Sequence, residues 1–126
     1  MGNVLERMLR EQILPIPLVG NVRGRGLFWS IEFMLNGERR IPMPQEAKFG
    51  ASIVQKSLEL GLNILGNLGD TGVVYVDHVI ISPPYIVTEH ELQDIVGILK
   101  EAITIVTRDL FGDLSVLSPS AKILPN

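Results

Sequence analysis

The sequence predicts an α+β domain: a two-layer sandwich in which a small, mostly antiparallel sheet carries its helices on one face. Three observations lead there. Leu27-Phe-Trp-Ser-Ile-Glu-Phe-Met34 alternates sides along an extended chain, which puts Leu27, Trp29, Ile31 and Phe33 on one apolar face. Asn36-Gly37, directly after this stretch, accepts positive φ at both positions and predicts a hairpin turn. Further on, Leu92, Ile95, Val96, Leu99, Ala102, Ile103, Val106 and Leu110 recur at helical spacing.

Taken in order, the chain begins with a short amphipathic helix through Val4, Leu5, Met8 and Leu9, with Asn3 as its expected N-cap and Glu6 closing a capping box. A helix this short is marginal alone and needs a surface to dock on. Pro15 and Pro17 end it by holding their preceding residues extended. Gly24 and Gly26 then form a glycine hinge, a tight turn feeding the core strand that runs to Met34, where the backbone can take positive φ or approach another backbone closely. Glu38 to Ile41 is its expected return strand, stopped by Pro42 and Pro44. From Gln45 to Leu60 the spacing predicts a helix with Ala47, Ala51, Val54 and Leu58 on one stripe and Phe49, Ile53 and Leu60 beside it. Gly61 stands where a left-handed C-terminal residue belongs.

Leu62 to Leu65 reads as a short strand, and the glycine-rich loop 66–72 separates it from the run Val73 to Ile81, whose valines and isoleucines predict a strand buried on both faces. Ser82-Pro83-Pro84 halts it, since neither proline donates to a ladder. Thr88 and Glu91 supply a second capping box for the last helix, in which Gly97 sits opposite the apolar stripe. The expected organisation is an N-terminal helix and linker over 1–18, one domain over 19–110 and a poorly ordered tail over 111–126.

Composition removes several classes of function. Eleven basic against fourteen acidic residues give a net charge of -3, which argues against a phosphate-backbone footprint and hence against nucleic acid as a partner. Having no cysteine removes disulfides, thiol nucleophiles and thiolate metal sites together. The mean hydropathy is +0.29, yet no apolar run approaches the roughly 20 residues of a membrane span. Neither an apolar signal core nor a myristoylation pattern opens the chain. The expectation is a soluble protein of an intracellular, cytoplasmic compartment, away from membranes.

The motifs that bear chemistry locally are few. His78 and His90 lie near Asp77, Glu89 and Glu91 without a recurring ligand spacing, so no metal site is expected. No serine has a glycine-flanked elbow, and the glycines at 20–26 precede a strand where a dinucleotide fingerprint requires a helix.

Two stretches carry more. Val22-Arg-Gly-Arg-Gly-Leu-Phe-Trp29 and Asp77-His-Val-Ile-Ile-Ser-Pro-Pro-Tyr-Ile-Val-Thr88, with Gly61-Leu62 between them, resemble the C-terminal small domain of class III, pyridoxal-phosphate-dependent aminotransferases. The resemblance implies a domain that closes over the substrate side of a cofactor cleft, while the Schiff-base lysine and the aspartate that pairs with the pyridine nitrogen belong to the large domain. None of Lys48, Lys56, Lys100 and Lys122 matches the family's lysine segment. It further implies that the full-length enzyme moves an amino group from an amine or amino acid to a keto acid, and that this portion alone is inert and binds no pyridoxal phosphate. Family arginines that hold a substrate carboxylate fall at Ile80 or near Val73, both apolar here. Arg23, Arg25, Phe28, Trp29, Pro83, Pro84 and Tyr85 are the expected cleft or interface residues, with no catalytic, cofactor-binding or metal residue among them. The expected partners are a large cofactor-binding domain or a homologous aminotransferase subunit, with self-association through the exposed apolar surface. The alternative readings are a stand-alone small-ligand or protein-interaction module and a non-catalytic partner of a complete aminotransferase.

Overall fold

The computed structural model describes residues 1–36, 41–44, 47–66 and 77–112. The N-terminal helix α1 (Gly2–Met8) widens into a π-helical turn, Leu9–Ile13, in which the Leu14 amide donates to the Leu9 carbonyl at 2.9 Å. Leu5, Leu9 and Ile13 are all fully buried. Their spacing of four overshoots a 3.6-residue turn, and the wider turn returns Ile13 to the buried side. The helix starts at Gly2 with Met1 as its cap, so the expected Asn3 cap does not form. Gly2 abuts the backbone of Gly26, where a Cβ would sit 2.9 Å from the Gly26 Cα. An extended Asn3 would break this close approach, so docking decides where the helix begins.

The sheet departs from the expected pattern at its first strand. The segment read as a hinge is itself a strand, β1 (Val19–Arg25), paired antiparallel with β2 (Phe28–Asn36). Gly26 and Leu27 form the two-residue turn between them. Gly26 has φ +60, whereas Leu27 is not among the positive-φ residues, which is the pattern of a type II′ hairpin turn. The alternation itself holds: Trp29, Ile31 and Phe33 are 2%, 0% and 0% exposed, while Leu27 goes into the turn.

Strand β2 is central. It pairs antiparallel with β4 (Asp77–Ile81) from Trp29↔Ile81 to Phe33↔Asp77, and at its far end with the short β3 (Ile41–Pro42) through Met34↔Pro42 and Asn36↔Ile41. The expected return strand is therefore present at Ile41, and Pro42 pairs within it instead of stopping it. Gly37 of the expected turn, residues 38–40 of the expected return strand and the expected strand positions 73–76 lie outside the described residues. The expected strand at 62–65 is reduced to one bridge, Leu65↔Ile80.

Helix α2 (Phe49–Glu59) starts later than expected, after a turn closed by the Ala47 amide on the Pro44 carbonyl at 3.1 Å. Its buried face is Phe49, Gly50, Ile53 and Ser57, whereas Ala51 and Leu58 of the expected stripe are exposed. The Phe49 ring decides this rotation: it packs edge-on against Phe33 of the sheet at 5.1 Å and against Phe111 at 6.0 Å. The helix closes as expected, with Gly61 at φ +99, its amide on the Leu58 carbonyl at 3.0 Å and the Leu62 amide on the Ser57 carbonyl at 2.7 Å.

Helix α3 (Glu89–Phe111) opens with the expected capping box: the Glu91 amide donates to Thr88 Oγ1 at 3.1 Å and the Thr88 amide to Glu91 Oε1 at 2.9 Å. Leu92, Val96, Leu99, Ala102, Ile103 and Val106 are buried; Leu110, at the end of the stripe, is 45% exposed. Phe111, expected to open the tail, is the last helical residue, ahead of Gly112 at φ +83. One hydrophobic core joins the helices to the inner face of the sheet. The architecture is the α+β two-layer arrangement read from the sequence. No described helix is long and apolar enough to cross a membrane.

Candidate functional site

The register Trp29↔Ile81 brings together the two motifs that lie far apart in sequence. The hairpin motif occupies the end of β1 and the start of β2. The proline motif leaves β4 one residue beyond Ile81, so both converge on the same end of the sheet. Trp29 is a core residue at this junction: its indole Nε1 donates to the Gly26 carbonyl at 2.7 Å and ties the hairpin turn to the strand. Arg10 from the π-helical turn stands over the ring with its Cζ 5.9 Å from the centroid. Gly24 admits this arrangement because a Cβ there would lie 2.6 Å from the indole Cδ2.

The other residues expected at a cleft or interface face outward. Arg23 is on the outer sheet face, where its Nε donates to Glu32 Oε2 at 2.8 Å and its Nη2 lies 2.6 Å from the same oxygen. The Glu32 side chain is 11% exposed and that of Arg23 68%, so the carboxylate is fixed and one edge of the guanidinium stays in solvent. Arg25 is exposed, opposite Phe28, which is 55% exposed. Pro83 is half-buried and Pro84 exposed; the Pro84 carbonyl accepts the Val87 amide at 3.0 Å and closes a turn that lifts Tyr85 to 95% and Ile86 to 88% exposure. Pro83 and Pro84 also border a small cavity of about 180 Å³ with Ile64, Ile81 and Ile95.

In the sequence Asp77 stands at the head of the second motif with no evident structural role. In the fold it is 1% exposed, and its Oδ2 accepts the Gly50 amide at 2.8 Å at the N-terminus of α2. Among the described residues that helix has no local side-chain cap: Lys48 occupies the cap position in a left-handed conformation, φ 50, and its side chain has no acceptor to offer. A carboxylate from β4 fills the role that Ser, Thr, Asp or Asn ordinarily plays from the same segment. The signal was legible as a deficiency, since none of those four residues lies between Met43 and Ala51. Which distant residue would make it good was not.

The described lysines lie on or beside helices. Lys48 and Lys100 are exposed, and Lys56 Nζ is 3.0 Å from Glu59 Oε1. The Lys56 ammonium holds the Glu59 carboxyl below its ordinary pKa, by hydrogen bonding first and by charge second. Lys48 and Lys56 line an open groove of about 410 Å³ between α2 and α3, together with Ala51, Gln55, Val106 and Leu110. His78 is half-buried opposite Glu32 on β2, and His90 is exposed, 3.7 Å from Asp94. Among the described residues, no three His, Asp or Glu side chains gather as a group able to hold a metal.

No protein-family profile matches the chain. An uncharacterized aminotransferase of Schizosaccharomyces pombe is 35% identical over 104 residues, covering 82% of this chain and 23% of that protein. One of Bacillus subtilis is 29% identical over 112 residues, covering 89% of this chain and 25% of its own length. Among solved structures, a transaminase from directed evolution by ancestral reconstruction superposes with a TM-score of 0.76 at 32% identity, over 87% of this chain and 23% of its own. A transaminase of the marine bacterium Virgibacillus shares the fold, with a TM-score of 0.79 at 24% identity over 86% of this chain and 24% of its own. The chain thus spans about a fifth to a quarter of the relatives it matches. The paired strands, the match in fold and these identities place it in one family: the chain belongs to the class III, pyridoxal-phosphate-dependent aminotransferases, as a counterpart of their small C-terminal domain.

Proposed function

We propose that this chain serves as the small domain of an amino-group-transferring enzyme, completing a cleft whose cofactor is anchored by a separate large domain. The observation that carries the reading is the Trp29↔Ile81 register, which puts the hairpin and proline motifs side by side at one sheet end. Pyridoxal phosphate, when bound in the complete enzyme, supplies the electron sink for moving the amino group between an amine or amino acid and a keto acid. The described residues of this chain do not fit that group. Lys56 is committed to Glu59, Lys48 and Lys100 are solvated, and the buried carboxylate of Asp77 is taken up by the α2 amide and so is not offered to a pyridine nitrogen. Alone, the chain is inert in transamination.

Arg23, Arg25, Phe28, Pro83, Pro84 and Tyr85 form the outward side of this sheet end, and in our reading they meet the large domain or a homologous aminotransferase subunit. Trp29 contributes from beneath, by holding the hairpin in shape. Wherever that surface is not covered by its partner, Phe28, Tyr85 and Ile86 stand in water, and self-association follows. The test of the reading is reduction with borohydride after incubation with pyridoxal phosphate, followed by mass spectrometry. The expected result is scattered, substoichiometric labelling of surface lysines. Stoichiometric attachment at one lysine, or transamination by the purified chain, overturns it.

A further inference from the structure

We draw no further inference here: the strongest candidate, the open groove between α2 and α3 bordered by Ala51, Gln55, Val106 and Leu110, is an unpartnered helix face, and nothing among the described residues shows what covers it.

Discussion

At the scale of single residues, the pair Gly50 and Asp77 shows how a glycine inside a helix becomes obligatory. The Asp77 carboxylate needs the Gly50 amide, and a Cβ at position 50 would collide with Asp77 Oδ1. Two opposite faults follow from substitution. Asp77→Ala leaves a buried amide unpaired at a helix N-terminus, a loss of about 1–3 kcal/mol. Gly50→Ala forces the carboxylate away and is expected to cost a similar amount, about 1–3 kcal/mol, as overpacking does elsewhere. Because both act on one contact, the double variant should be less destabilised than the sum of the singles. Urea denaturation of all four proteins checks this, and strict additivity would show that the contact does not couple β4 to α2. The sequence held both residues in plain view but could not join positions 27 apart.

Elements were legible where their own residues set their boundaries. Helix α3 is the clearest case: Thr88 and Glu91 cap it, its stripe from Leu92 to Leu110 repeats for about five turns, and its burial is as read as far as Val106. Two substitutions probe it in opposite directions. Gly97 is exposed, and a Cβ added there would meet nothing within 4 Å, so Gly97→Ala should stabilise by about 0.5–1 kcal/mol. Thr88→Ala should destabilise by about 1 kcal/mol through loss of the cap. Thermal melts of the two variants should move apart, and a Gly97→Ala protein no more stable than the parent would contradict the open space seen there. Helix α2 was harder to read because it has two apolar stripes, and only contact with Phe33 and Phe111 selects the one through Phe49 and Ile53. Strand β1 was missed for a related reason. Glycines and an asparagine weaken its intrinsic preference for strand, and its pairing with β2 supplies what local propensity does not.

For the whole molecule, the consequence that matters is the surface left at the hairpin end. Sedimentation velocity over a range of concentrations should show reversible self-association of the parent chain. Replacing Phe28 with Ser, Tyr85 with Ser and Ile86 with Asn should shift it toward monomer without loss of folded signal, since all three side chains are exposed. A monodisperse monomer at high concentration, with no binding of a hydrophobic dye, would count against the reading of this surface as an interface. By itself the sequence determined the class of fold, the capped final helix, the Gly61 terminus and the resemblance carried by two separated motifs, because each of these depends on residues adjacent in the chain or at fixed spacing. Only the tertiary structure decided that the residues leading into the Gly26 turn form a strand, which stripe of α2 is buried, and that Asp77 caps a helix built elsewhere. These are outcomes of long-range packing, in which the energy that chooses between locally equivalent arrangements comes from atoms that sequence order does not bring together.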